Sequence, residues 1–164
     1  MRKVRVAATE AGLQMITSLV HIAKIKAETR DLKQRQLDTE VKKKRPNLVM
    51  TRTLKDSLER TQDRIHSVEG MIKDSFNKIF THRFRDIDPY IRSICMRSIG
   101  HWMREHPLFF LSDFYLKYLG WSLNDKDPQV RSEVLEILHE FVIVNFCCLR
   151  PLLSLILVLS LIHI

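Results

Sequence analysis

Glycine and proline are scarce, at 4 and 5 of 164 residues, and no glycine-rich phosphate loop, nucleophile elbow or His-Glu-x-x-His stretch occurs. With charged residues at 28%, that balance favours helices over a turn-rich sheet fold. The three cysteines, Cys95, Cys147 and Cys148, have no metal-ligand spacing and form no even disulfide framework. A reduced, intracellular compartment suits them better than a secreted one. Seven histidines are present, but His101 and His106 stand five apart with no cysteine or carboxylate partner at ligand spacing. No catalytic constellation, metal site, cofactor or small-molecule substrate is expected. The start, Met1-Arg2-Lys3-Val4-Arg5, leads into an amphipathic pattern and not into the apolar run of a signal peptide.

What the chain does contain is a repeated phrase. Asp86-Ile87-Asp88-Pro89-Tyr90-Ile91-Arg92-Ser93 and Asp125-Lys126-Asp127-Pro128-Gln129-Val130-Arg131-Ser132 both read D-x-D-P-x-[I/V]-R-S, 39 residues apart. A helical phrase recurring at about 40 residues is the signature of a HEAT-type solenoid, an all-α stack of antiparallel helix pairs. In each copy the second aspartate (Asp88, Asp127) is a good N-cap and the proline (Pro89, Pro128) suits the first helical position. The first aspartate (Asp86, Asp125) can bind nearby backbone amides, and the arginine (Arg92, Arg131) can bridge to an aspartate of a neighbouring repeat. These eight residues are expected to be scaffold.

Residues 1–50 read as an amphipathic helix, with Val6, Leu13, Ile16, Val20 and Ala23 near helical spacing, whose tail fades over Thr29 to Asn47 into a mobile basic linker. Residues 51–141 read as a long helix from Thr51 to Thr81, interrupted in propensity by Gly70, and then the repeats. The stripe Ile91, Cys95, Ile99 and Trp102 marks one repeat helix; Val130, Val134, Leu138 and Phe141 mark another. Charge is uneven: residues 1–45 carry 12 basic and 5 acidic side chains, residues 107–164 only 4 and 6. The cluster Lys42, Lys43, Lys44 and Arg45 is therefore a candidate DNA contact, with a solvated linker the plainer alternative.

Residues 142–164 change texture. The nearly apolar run covers 13 residues, 152 to 164, short of the roughly 20 a spanning helix needs. Leu159-Ser160-Leu161-Ile162-His163-Ile164 is also what CTG-TCT-CTT-ATA-CAC-ATC encodes, a widely used transposase sequencing adaptor. The tail is expected to be a non-native translation of retained intron and adaptor rather than a membrane anchor.

One helix carries a candidate site. On a wheel with Asp113 at 0°, Lys117 falls at about 40° and Trp121 at about 80°, flanked by Phe114 and Tyr118. Leu116, Leu119 and Leu123 cluster on the other side. Two readings stay open: aromatics filling the joint between repeats beside a routine i,i+4 ion pair, or a recognition patch of the kind that makes binding hot spots.

The stretch Thr81-His82-Arg83-Phe84-Arg85-Asp86-Ile87-Asp88-Pro89, then Ile99-Gly100-x-Trp102, then Phe110-Leu111-x-Asp113-x-Tyr115-Leu116-Lys117-Tyr118-Leu119-Gly120-Trp121-x-Leu123-Asn124-Asp125-Lys126-Asp127, closely resembles the stromalin conservative domain. That domain marks the stromalin family, the HEAT-repeat subunit of cohesin, and the wording is most like its plant members. Arg35-Gln36-x-x-x-Glu40-x-Lys42-Lys43-Lys44 resembles the segment preceding it. The resemblance covers roughly residues 10–141. It implies a nuclear, chromatin-associated, non-enzymatic scaffold of sister-chromatid cohesion that binds the kleisin subunit, shugoshin-like regulator segments and DNA. It also implies a partner-binding surface of Phe84, Asp113, Lys117, Tyr118 and Trp121, with an aromatic side chain of the partner laid between Phe84 and Trp121. Phe84 stands where the family commonly has tyrosine, which removes a hydroxyl.

Overall fold

Three helices of the fold lie parallel in one layer, held by cross-links that step along the chain at matched intervals. The computed structural model describes residues 1–43, 45 and 47–144, with the side chains of 142–144 excepted. Its elements are α1 (Arg2–Val41), α2 (Leu48–Lys78), α3 (Phe80–Arg83), α4 (Pro89–Glu105), α5 (Pro107–Phe110), α6 (Asp113–Ser122) and α7 (Pro128–Val144). No strand occurs among the described residues.

α1 and α2 form a long antiparallel hairpin: Lys33 Nζ reaches Ser57 O and Thr61 Oγ1 near its tip, while Gly12 lies against Ile79 near its base. α4 packs along α1 in the same direction, with Arg2 on Asp88, Tyr90 on Glu10, Trp102 on Thr17 and Glu105 on Lys24. α7 repeats that relation on α4, through Arg97 to Glu133 and Arg104 to Glu140. α1, α4 and α7 therefore make one layer, and α2, α3 and α6 back it. This is the helix-on-helix layering of a solenoid.

Between the layers sits an aromatic core. Phe76, Phe80, Trp102 and Phe110 are fully buried, as are Ile16, Val20, Ile91 and Ile99. The Trp102 indole donates to Thr17 Oγ1 at 2.9 Å, which satisfies the polar end of a buried ring. Cys95 lies in this core, and burial pushes its thiol up to about 12, so it is an inert packing residue. Gly100 lets α4 and α7 close up: a Cβ there would meet Ile137 Cγ1 at 2.5 Å.

The N-terminal segment differs from the sequence-based expectation. Helix α1 continues to Val41, and the linker shrinks to a short connection before Asn47. The cause is α2. Leu37 is buried against it, and Lys33 bridges to the buried Thr61. Asn47 then caps α2 by accepting from Val49 N and Met50 N, and Glu40 ties the turn by holding Lys43 and the Asn47 amide. The second long helix also ends earlier than expected, at Lys78, with α3 as a separate turn. The readings placed on residues 145–164 lie outside the described residues. Among the described residues no helix is long and apolar enough to cross a membrane.

Candidate protein-docking site

The two copies of the repeated phrase build adjacent turns along one edge of the helix layer, before α4 and α7. In each, the first aspartate accepts the amide of the second: Asp88 N donates to Asp86 Oδ1 at 3.0 Å, and Asp127 N to Asp125 Oδ1 at 2.8 Å. The second aspartate caps its helix through Tyr90 N or Gln129 N. One guanidinium nitrogen of each arginine then closes its own turn. Arg92 Nη1 donates to Asp86 O and Ile87 O, and Arg131 Nη1 to Asp125 O and Lys126 O.

Arginine and aspartate of successive turns form one rung of a ladder. Arg92 forks onto the Asp125 carboxylate with two bonds of 2.8 Å, joining the first turn to the second. Burial alone would raise the Asp125 carboxyl, but Arg92, the Asp127 amide and Arg131 outweigh it and hold the group below the usual carboxylate range. On the N-terminal side Arg2 pairs with Asp88, and Arg5 Nε lies 3.2 Å from Asp86 without aiming its N–H at the oxygen.

Beside this ladder opens a cleft of about 500 Å³, walled by Phe84, Arg85, Trp121 and Asp125. Phe84 closes α3 as its C-cap. Trp121 comes from the last turn of α6, brought alongside because the leucine face of α6 is buried. The two rings lie 6.1 Å apart and 21° from parallel. Tyr118 stands edge-on to both, at 4.9 Å from Phe84 and 5.4 Å from Trp121. Burial raises its phenol, so the hydroxyl stays protonated at neutral pH.

The structure sorts the expected site residues into three groups. Phe84 and Tyr118 belong to the core cluster, at 7% and 6% exposure, while Trp121 is only partly covered. Sequence reasoning did not find that Phe84 and Tyr118 are supports beneath the tryptophan rather than open surface. Lys117 sits beside Trp121 with its ammonium 5.7 Å from the indole, and also over Phe114 and Tyr118. Asp113 is exposed two turns away and does not wall the cleft. Among the described residues Lys117 makes no ion pair with Asp113; its ammonium lies over rings instead.

The expected sandwich also changes. A ring inserted between two others needs about 7 Å, twice the carbon contact distance of roughly 3.5 Å. A spacing of 6.1 Å leaves no such slot. The cleft opens beside the pair, along the exposed part of Trp121.

One cation was missed. Arg85 holds its guanidinium 4.9 Å from the Phe84 centroid and 5.4 Å from that of Trp121. Its position next to Phe84 in the chain was the available signal. Elsewhere, Lys42, Lys43 and Arg45 are exposed at the tip of the α1–α2 hairpin, far in sequence from the cleft. Lys44 lies outside the described residues. No His, Cys, Asp and Glu grouping fit to hold a metal occurs among the described residues.

Two protein families match the chain: the STAG domain over residues 1–63 and the stromalin conservative domain over residues 85–146. The second match runs five residues past Phe141, slightly beyond the limit drawn from the sequence. Among curated proteins the chain is 42% identical to sister-chromatid cohesion protein 3 of Arabidopsis thaliana, covering 85% of this chain and 13% of that one. It is 38% identical to cohesin subunit SA-3 of Mus musculus, over 84% of this chain and 11% of the relative. Among solved structures it matches cohesin subunit Scc3 from Z. rouxii with a TM-score of 0.74 and 31% identity, covering 86% of this chain and 16% of that one. A small part of each relative is thus represented, and it is a stretch found in every one of them. With the repeat phrase, the helical layering and these matches together, the chain belongs to the stromalin family of cohesin subunits.

Proposed function

We propose that this stretch serves cohesin as a docking station, receiving an extended segment of a partner protein in the cleft beside Trp121. The observation that carries the reading is the construction of that cleft. A partly covered tryptophan is held from below by the buried rings of Phe84 and Tyr118, so it cannot collapse into the core. Large aromatic anchors on rigid supports are what concentrate binding energy. Arg85 and Lys117 lie 5.4 and 5.7 Å from the indole centroid and favour a partner with acidic residues next to its apolar anchor.

By family, the partners are the kleisin subunit and shugoshin-like regulator segments, in the nucleus on chromatin. DNA is a separate partner, attracted by Lys42, Lys43 and Arg45 at the hairpin tip together with Lys44 of the same basic run. Support for that is compositional, since the surplus positive charge lies in the N-terminal third.

The test is Trp121→Ala, measured for binding of kleisin and regulator segments by calorimetry and for unfolding by thermal melts. Binding weakens by about 2 kcal/mol or more, while the melting midpoint stays near that of the parent. Equal losses of binding and stability return Trp121 to the packing of the joint.

A further inference from the structure

We infer that Arg85 is a latch on the cleft: its guanidinium covers the aromatic pair, and an acidic residue of the partner draws it aside to admit the apolar anchor. This rests on the docking proposed for the cleft and adds a selection rule to it. Neither the acid nor the anchor docks well without the other.

The position of Arg85 carries the first half. The side chain is exposed, yet its guanidinium lies 4.9 Å from the Phe84 centroid and 5.4 Å from that of Trp121. All three residues wall the same cleft. Phe84 has the rings of Phe80, Tyr118 and Trp121 around it, and among the described residues Arg85 is the only cation over it. An anchor reaching for the ring pair from the cleft therefore meets the guanidinium first.

The way Arg85 is held carries the second half. Both aspartates of the cleft are already engaged, Asp86 by Arg83 and Arg5, and Asp125 by the fork of Arg92. Arg85 makes no ion pair among the described residues, so the rings hold it. A cation over an exposed ring is a weak hold, and a guanidinium forked onto a carboxylate is a stronger one. A carboxylate shielded from water by the arriving segment strengthens that pair further. Arg85 then leaves the rings, and the surface it covered is free for the anchor. Lys126 also walls the cleft but lies over no described ring, so it attracts an acid without obstructing anything.

A latch and a plain charge contact differ in sign. A cation that only attracts acids is indifferent to a neutral guest, and its loss leaves that guest unaffected. A latch obstructs the neutral guest, so its removal helps that guest while weakening the acidic one.

The experiment uses two short Gly/Ser peptides with a central phenylalanine, flanked by glutamates in one and by glutamines in the other. Each is titrated by calorimetry onto the purified chain and onto Arg85→Ala, Lys126→Ala and Trp121→Ala. The parent is expected to bind the glutamate peptide more tightly. Arg85→Ala binds the glutamine peptide about two- to fivefold tighter than the parent does, the fold-change that an exposed cation over a ring represents. It binds the glutamate peptide more weakly. Lys126→Ala weakens the glutamate peptide alone. Acrylamide quenching needs no peptide: of the two tryptophans Trp102 is fully buried, so quenching reads Trp121. Arg85→Ala increases that quenching with the melting midpoint unchanged. A glutamine peptide that gains nothing from Arg85→Ala, or quenching that does not rise, overturns the latch and leaves the docking proposal standing. If neither peptide binds the parent, or Trp121→Ala binds both as the parent does, the docking proposal fails and the latch with it.

Discussion

Arg92 performs two tasks with one planar group, closing its own turn with Nη1 and gripping the next repeat with Nε and Nη2. A lysine retains the charge but has no fork. Arg92→Lys should therefore lower stability by about 1.5–3 kcal/mol, the worth of hydrogen bonds to a charged group, read from denaturant unfolding. The pH dependence follows from Asp125. Its folded pKa lies below its ordinary value of 3.8, so its contribution is fully present above about pH 4 and is lost as the pH falls through the folded pKa. Asp88 acts in the same sense, held low chiefly by the Arg2 hydrogen bond. Acid unfolding should set in below about pH 4, and Asp125→Asn should flatten that limb of the profile. A profile unchanged by the substitution would show that the ladder contributes nothing. The Asp roles were readable in sequence because a cap and a turn are local chemistry: the side chain, the amide it binds and the proline that sets the backbone are all within four residues. Arg92 reaches six and 33 residues along the chain, and only the repeat of the phrase pointed to it. The burial of Phe84 and Tyr118 was not. A helical wheel gives the direction in which a ring points, but not that Phe80 and Phe76 will be stacked beneath it.

At the scale of the element, the length of α1 is the clearest case of tertiary contacts overriding a local pattern. Thr29 to Val41 buries one side chain, Leu37, and looks like a solvated tail when read alone. What keeps it helical is α2 running alongside, a partner about 25 residues away in sequence that periodicity cannot reveal. Two of the helical glycines, Gly70 and Gly100, separate the same influences. Gly70 is exposed inside α2, with nothing within 4 Å of an added Cβ. Only backbone propensity acts there, so Gly70→Ala should stabilise by about 0.5–1 kcal/mol. Gly100 is also inside a helix, yet an added Cβ would sit 2.5 Å from Ile137 Cγ1. Gly100→Ala should destabilise by about 1–3 kcal/mol through overpacking, and the same substitution made in an Ile137→Ala background should cost less. Opposite signs in the two melts distinguish propensity from packing; the same sign would refute the assignment.

For the whole molecule, two kinds of surface stand apart. The cleft lies at the repeat turns, and the basic residues lie at the distal tip of the α1–α2 hairpin. DNA binding should therefore be separable from peptide docking. Replacing Lys42, Lys43 and Arg45 by Ala should weaken DNA binding and reduce the slope of log K against log salt by up to about three, leaving peptide affinity unchanged in calorimetry. A slope that does not move would place the DNA contacts elsewhere. The stack itself was legible from one repeated phrase, because an offset of 39 residues fixes a helix pair. Which faces remain open was not, since that depends on how neighbouring repeats cover one another.

Asp125 belongs to two structures at once, the wall of the cleft and the clasp between repeats. Occupancy of the first and rigidity of the second are thereby linked, and linkage runs both ways. A guest that steadies this carboxylate slows the opening of the turn it caps, and amide exchange at Asp127, which donates to Asp125 Oδ1, records the docking from inside the scaffold.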